Sequence, residues 1–143
     1  MRIGHGPRLF AVLMSSLAVG FLGAQEVDIR LIVRGLKGDG KLYVAVYDSQ
    51  EGFKSEKAFT GLIVDPKGDT VETNLRLPEG YYVFSMFQDL NGNGSLDKGF
   101  LGIPKEPIGL SRFEKMGIPG NFDKHKVWLG SGANSITITL IAL

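Results

Sequence analysis

A run of oxygen-bearing side chains at alternate positions is the strongest chemical signal in the chain. The run extends from residue 89 to residue 97, and its polar members are Asp89, Asn91, Asn93, Ser95 and Asp97. In the calcium loop of a helical hand, ligands come from positions 1, 3, 5, 7 and 9, and a glycine at position 6 makes the sharp turn. Gly94 occupies that sixth position. The spacing predicts a loop that binds calcium through oxygen atoms.

The loop departs from the helical hand at position 12, where a bidentate glutamate is expected and this chain has Phe100. Asp97 would therefore have to complete the coordination shell. A turn without metal is the alternative, because Asn and Gly both tolerate positive φ angles. Asp89 and Asp97 are the loop's two formal negative charges. We therefore expect a weak structural calcium site, with a dissociation constant of about 10⁻⁴ to 10⁻³ M.

The segments that must position this loop have the patterns of β-strands. Residues 81–87 are β-branched and aromatic without helical spacing, so the loop should leave a strand. Residues 27–33 and 136–140 alternate apolar and polar, as half-buried strands do. Residues 41–47 are apolar on both faces, which predicts a central strand. Short strands with Gly and Pro turns predict an all-β domain, an antiparallel β-sandwich.

The turns predict which strands are neighbours. A glycine-rich turn leads from residues 27–33 into residues 41–47, which predicts a first hairpin. The turn Pro78-Glu79-Gly80 leads from the alternating segment 71–77 into residues 81–87, which predicts a second hairpin.

Three further segments are less regular. Residues 50–59 are expected to hold one helical turn, and residues 127–129 form a short strand before the turn at 130–134. Residues 99–123 are rich in Gly and Pro and too long for an ordinary connection. Such a segment is either functional or an irregular cover of the domain.

The N-terminus predicts the compartment. Two arginines precede the apolar stretch 9–22, and the small residues Gly23 and Ala24 follow it. This pattern is typical of a secretory signal peptide, residues 1–24, which precedes a β-sandwich domain of residues 25–143. The apolar stretch is shorter than the roughly 20 residues of a membrane span, although an uncleaved anchor is the alternative. We therefore expect a periplasmic or secreted protein with no stable membrane span after processing.

Composition excludes several classes of function. The chain has no cysteine, which excludes disulfides, thiolate metal sites, catalytic thiols and a lipid-modified cysteine. A calcium ion could stabilise loops that disulfides would otherwise hold. Removing residues 1–24 takes away two arginines and no acids, so the formal charge changes from +1 to −1. No basic surface for nucleic acid is expected.

An enzyme needs a constellation of groups that the sequence does not offer. His5 lies in the signal peptide, and His125 stands alone and is expected to be an exposed surface residue. Carboxylate pairs near turns, such as Asp48 with Glu51, are common and do not define a glycosidase without a measured separation. We therefore expect no enzymatic activity.

A carbohydrate-binding or other ligand-binding module is the alternative function. Its candidate residues are the aromatics Tyr81, Tyr82, Phe113, Phe122 and Trp128. Because aromatic residues dominate small cores, Trp128 and the two tyrosines are expected to pack inside. Phe113 and Phe122 lie in or beside the irregular segment and are the candidates for an exposed binding surface.

Several segments, taken in order, resemble one protein family. They read GKLYVAVYD, EGF, LPEGYYV, FQDLNGNGSLD and FLGIP, at residues 40–48, 51–53, 77–83, 87–97 and 100–104. The chain resembles the bacterial domain-of-unknown-function family 2141 over nearly all of its length after residue 24. The resemblance implies an exported β-sandwich of immunoglobulin-like or prealbumin-like topology with no established activity.

Two departures from the family pattern stand out. Gln88 occupies a position where members often carry His, and residues 107–111 lack the aromatic that is usual there.

The sequence as a whole predicts a calcium-stabilised binding or accessory module of the cell envelope. Its expected partners are an envelope protein or a glycan.

Overall fold

A computed structural model describes residues 23–142. Residues 1–22 of the predicted signal peptide lie outside these described residues. Within residues 23–142 the elements are β1 (Glu26–Arg34), β2 (Lys41–Tyr47), α1 (Gln50–Lys54), β3 (Thr60–Val64), β4 (Thr70–Pro78), β5 (Gly80–Asp89), a 3₁₀ turn (Phe100–Gly102), β6 (Ile108–Leu110), α2 (Phe122–His125), β7 (Val127–Leu129) and β8 (Asn134–Thr139). In the described part of the chain, neither helix is long and apolar enough to span a membrane.

The strands form two sheets. The first sheet has the order β4-β1-β8, and the second has the order β3-β2-β5-β6, with β7 also pairing with β5. The predicted all-β sandwich is therefore confirmed. One pair departs from the antiparallel expectation, because β8 runs parallel to β1. The chain enters β8 from β7, which lies in the second sheet, so no hairpin fixes the direction of β8 in the first sheet.

Both predicted hairpins are wrong. β1 pairs with β4 and β2 pairs with β5, so the turns after β1 and β4 carry the chain from one sheet to the other. Leu77 at the end of β4 and Tyr82 near the start of β5 both pack in the main core, and they enter it from opposite sheets. A turn between two half-buried strands can join them across the core as well as within one sheet, and alternation alone does not separate these cases.

Two strands and one α-helix were not predicted. β3 is largely exposed at the edge of the second sheet, and β6 and α2 are only three and four residues long. The expected helical turn within residues 50–59 is confirmed as α1, which Ser49 caps by accepting a hydrogen bond from the Gly52 N–H at 3.1 Å. Short and exposed elements lack the apolar repeat on which sequence prediction depends.

The main core lies between the two sheets. It is built from the inward side chains of strands in both sheets, which include Ile29, Leu31, Val33, Leu42, Val44, Val46, Phe84 and Met86. A second apolar cluster lies on the outer face of the second sheet, where it is formed by Tyr47, Val83, Leu110 and Phe122. The helices and the long segment cover that outer face. This cover explains why β2 and β5 are apolar on both faces. β2 lies between β3 and β5 in the second sheet, so the prediction that it is a central strand is confirmed.

His125 is fully buried in this outer layer, so the expectation of an exposed surface histidine is wrong. Its Nδ1–H donates to the Ser111 carbonyl at 3.1 Å, and its Nε2 accepts from the Gly120 N–H at 2.9 Å. The Ser111 hydroxyl donates to the His125 carbonyl at 2.7 Å and accepts from the Phe84 N–H at 3.1 Å. Burial is tolerated because both ring nitrogens have partners.

Candidate metal-binding loop

The loop of residues 89–97 begins at the last residue of β5, beside the turn between β1 and β2. Gln88, which precedes it, is fully buried. Its Oε1 accepts from the Lys37 N–H at 2.7 Å, and its Nε2 donates to the carbonyls of Lys37 and Gly40 at 2.8 and 3.0 Å. Gln88 therefore ties the base of the loop to the neighbouring turn, and this position serves a structural purpose in this chain.

Asp89 shapes the first half of the loop. The residue is only 3% exposed. Oδ1 accepts from the N–H groups of Gly92 and Asn93 at 3.0 and 3.3 Å, and Oδ2 accepts from the Gly94 N–H at 2.8 Å. Gly92 and Gly94 have φ angles of +74° and +75°, which a residue with a side chain adopts only with strain. The Asp89 carboxylate therefore holds the backbone of residues 90–94 in a tight turn through three hydrogen bonds.

Asn91, Asn93 and Asp97 meet on the open side of the loop. Asn93 Nδ2 donates to both carboxylate oxygens of Asp97, at 2.9 and 3.0 Å, and Asn91 Nδ2 also donates to Asp97. The amide oxygens turn the other way. Asn91 Oδ1 accepts from the Asn93 N–H at 3.2 Å, and Asn93 Oδ1 accepts from the Ser95 N–H at 3.0 Å. Each amide oxygen keeps a second lone pair for another partner.

Ser95 is exposed and donates its backbone N–H to the loop. In a helical hand the ligand at this seventh position is the backbone carbonyl, so the serine side chain itself need not point inward. The structure therefore brings together three of the five predicted residues through their side chains. Asp89 adds a carboxylate that is already bonded to three N–H groups.

Glu106 holds the two ends of the loop together and was not predicted. It is only 6% exposed. Its Oε1 accepts from the Leu90 N–H at 3.0 Å and its Oε2 accepts from the Asp97 N–H at 3.1 Å, while the Lys105 N–H donates to the Asp97 carbonyl at 2.8 Å. Glu106 stands outside the alternating run, in a segment without periodicity. The sequence therefore carried no signal for it.

The chemistry of the donors limits which metal the loop could hold. Among residues 23–142, no three His, Cys, Asp or Glu side chains come together to hold a metal ion. A cation at Asp97 would depend on amide and backbone oxygens as well, and oxygen-only ligand sets suit Ca²⁺ rather than zinc or copper. Lys98 and Lys105 line the same open cleft as Asp97. Their positive charges oppose a cation there, which fits a weak site.

The aromatic residues are distributed differently from the prediction. Tyr82 is buried, and its hydroxyl donates to the Pro78 carbonyl at 2.7 Å. Burial raises the pKa of Tyr82, and the carboxylate of Asp48 adds to the rise. Trp128 and Tyr81 are 53% and 50% exposed, so their expected place in the core is wrong. They are opposite each other on β7 and β5 and share the face that points away from the core.

The two phenylalanines in or beside the long segment were candidates for an exposed binding surface. Phe122 is buried in the outer cluster, so this candidate for an exposed binding surface is not exposed. Phe113 is half-buried and packs its ring against His125, with 5.7 Å between the ring centres. Both residues pack in the apolar layer that covers the second sheet.

The fold and the loop together define a class, a small β-sandwich with an Asp- and Asn-rich loop at the end of a central strand. Residues 32–137 match the family model described as an uncharacterized protein conserved in bacteria, DUF2141. Because the match covers well over half of the chain, the chain belongs to this family, and the resemblance is confirmed. No curated protein and no solved structure matches the chain.

Proposed function

We propose that this chain is a calcium-stabilised β-sandwich module of the bacterial cell envelope, with a binding or accessory role. One observation carries the calcium part of the proposal. The side chains of Asn91, Asn93 and Asp97 meet on the open side of the loop, where both Nδ2 groups donate to the Asp97 carboxylate; a cation at that carboxylate would replace these donors, and the two amides would turn their oxygens toward it. The envelope part of the proposal rests on the N-terminal sequence pattern, which predicts export, in a chain of a bacterial family.

The residues that would hold the ion are Asp89, Asn91, Asn93 and Asp97, with the backbone carbonyl of Ser95. A bound Ca²⁺ would supply positive charge next to Asp97 and join side chains from both halves of the loop. Its effect on stability follows from linkage. With free calcium about tenfold above the dissociation constant, binding adds about 1.4 kcal/mol to the free energy of unfolding.

Thermal unfolding with and without calcium tests this proposal. We expect a rise in Tm of several degrees in millimolar Ca²⁺ relative to chelator, and a smaller rise in Mg²⁺, which prefers a tighter octahedral shell. Asp97→Asn should abolish the rise. Asp65→Asn, which removes an exposed carboxylate in the turn after β3, should keep it. Identical melting curves of the unmodified chain in calcium and chelator would refute the calcium site.

The proposal includes no catalytic step. His125 is enclosed, and both of its ring nitrogens are engaged by backbone groups. General acid–base catalysis requires a group that can reach a substrate proton, and an enclosed imidazole does not. The expectation that the chain is not an enzyme stays a prediction, and a screen of hydrolase substrates would test it.

Carbohydrate binding is a second candidate function, and one observation favours it. The exposed rings of Tyr81 and Trp128 pack edge to face with 4.8 Å between their centres, and the Lys126 ammonium lies 4.6 Å from the centre of the Tyr81 ring. Exposed aromatic rings with a polar neighbour are a surface on which sugars can stack.

Affinity electrophoresis in polysaccharide gels tests this second candidate. Trp128→Ala should abolish retardation of the protein, whereas Phe59→Ala, which removes another half-exposed ring, should retain it. Trp128 is the single tryptophan of the chain, so its fluorescence reports binding in solution directly. Unchanged mobility and fluorescence across neutral and charged polysaccharides would rule this candidate out.

A further inference from the structure

The loop is followed by a short hairpin that carries exposed apolar side chains at its end. Phe100 and Leu101 are 84% and 83% exposed, and Ile103 is 46% exposed. We call these three residues the apolar tip. Single exposed apolar residues are common on protein surfaces, but three large ones within four positions form a patch that usually has a partner.

The hairpin is a structured projection. Lys98 and Pro104 form a β-bridge at its base, and the Gly99 N–H donates to the Ile103 carbonyl at 2.7 Å. The N–H groups of Gly102 and Ile103 donate within the turn, at 3.2 and 3.3 Å. Backbone N–H groups that are already bonded can enter a medium of low polarity at a small energetic cost.

Leu101 has a backbone conformation that few leucines adopt. Its φ and ψ angles are +58° and +22°, in the left-handed region. This conformation places the leucine at the turn of the hairpin with most of its side chain in solvent. Unfavourable backbone conformations are retained mainly where function depends on them.

Two lysines lie at the base of the hairpin, Lys98 at one of the bridged positions and Lys105 immediately after the other. Lys98 and Lys105 are both exposed. Lysine side chains at such places extend their ammonium groups toward anionic headgroups while their apolar stems lie along the hydrophobic part. The arrangement of an apolar projection between two cations is complementary to an anionic bilayer surface. A protein partner would instead have to offer a groove for a convex tip.

We propose that the apolar tip inserts into the headgroup region of an anionic lipid bilayer, with Lys98 and Lys105 contacting lipid phosphates. The chain then attaches to the membrane surface at the end of the sandwich that carries the loop of residues 89–97. The proposal does not depend on calcium, because the apolar side chains and the lysines are sufficient for interfacial attachment.

The absence of cysteine from the chain makes a local test practicable. The full chain carrying Leu101→Cys is labelled with an environment-sensitive fluorophore and mixed with vesicles of phosphatidylglycerol and phosphatidylcholine, in chelator. Phe100→Cys gives a second label in the tip. Ile118→Cys, at a residue 92% exposed and outside the tip, is the matched control. Because each label reports its own surroundings, attachment through another part of the chain leaves the tip labels in water.

We expect a blue shift and quenching by lipid-borne quenchers at positions 100 and 101, and neither effect at position 118. Lys98→Glu or Lys105→Glu should weaken the partitioning of the Leu101→Cys label to anionic vesicles at least fivefold, since each basic residue at a surface contributes about that factor. Pure phosphatidylcholine should give a weaker signal.

Three results would overturn the proposal. The first is emission typical of water at both tip positions with anionic vesicles. The second is a blue shift at the tip positions that appears only when calcium replaces the chelator, which would remove the lysines from the role assigned to them. The third is a blue shift that appears only with soluble envelope proteins and not with lipid, which would show that the tip docks into a protein.

Discussion

Replacing Glu106 by alanine is expected to destabilise the chain more than any change of an exposed carboxylate. Two backbone N–H groups, those of Leu90 and Asp97, donate to its carboxylate from the two ends of the loop. A hydrogen bond to a charged acceptor contributes about 1.5–3 kcal/mol. Relaxation of the loop toward water recovers part of this loss, so we expect the free energy of unfolding to fall by about 2–4 kcal/mol.

The expected change is large enough for routine measurement. For about 120 structured residues, 1 kcal/mol corresponds to about 4 °C, so the Tm of Glu106→Ala should fall by about 8–16 °C. Circular dichroism during thermal and urea unfolding measures this change. Glu106→Gln keeps one acceptor oxygen and should lose about half as much. Glu114→Ala, at an exposed glutamate of the same segment, is the matched control and should stay within about 0.5 kcal/mol of the unmodified chain.

A local readout separates opening of the loop from global unfolding. Amide hydrogen exchange at Leu90 and Asp97 should accelerate about thirtyfold or more in Glu106→Ala, which corresponds to about 2 kcal/mol. If Glu106→Ala and Glu114→Ala unfold at the same temperature and protect these two amides equally, the bridging role assigned to Glu106 is wrong.

Three further predictions concern the sheets. Gln88→Leu should lower the free energy of unfolding by about 2–4 kcal/mol in urea titrations, because it removes the partners of three backbone groups in the adjoining turn. Gly109→Ala should lower Tm by overpacking, at about 1–3 kcal/mol, since the new Cβ would lie 2.8 Å from Ile138 Cγ2. Hydrogen bonding by Arg30 lowers the pKa of Glu72 in the folded chain. The ion pair therefore stabilises the folded state fully at pH values above the unfolded-state pKa of this carboxyl. That stabilisation is lost as the pH falls through the folded-state pKa. Stability measurements across pH should show Glu72→Gln below the unmodified chain at neutral pH, and the two should converge in acid, with a small difference because both side chains are exposed.

The positions of the main strands could be predicted from the sequence, but their partners could not. The alternation of residues 27–33 and the two apolar faces of residues 41–47 follow from burial, which acts on each strand separately. The choice between pairing within a sheet and crossing to the other sheet depends on contacts between distant segments. β3 and β6 were missed because exposure or shortness removes the apolar repeat.

Within the candidate site, the residues of the contiguous loop could be predicted from the sequence, but the residues that reach it from other segments could not. Spacing in a contiguous run was enough to single out Asp89, Asn93 and Asp97, because a loop of nine residues determines its own contacts. Glu106 reaches the loop from a segment without a pattern. His125 is buried because the irregular segment before it brings the Ser111 carbonyl and the Gly120 N–H to its two ring nitrogens. No local pattern encodes either arrangement.

The pairing of β1 with β8 also constrains how the chain folds. Ile29 is aligned with Asn134, about 100 residues later, so the first sheet is incomplete until residues 134–139 are present. Pairings over such distances must overcome a large loop-closure entropy and are typical of slow folding. Until residues 134–139 are available, one edge of β1 presents free backbone groups that can pair with other chains. A growing chain would therefore remain open to aggregation, or to capture by a chaperone, until residues 134–139 have been synthesised.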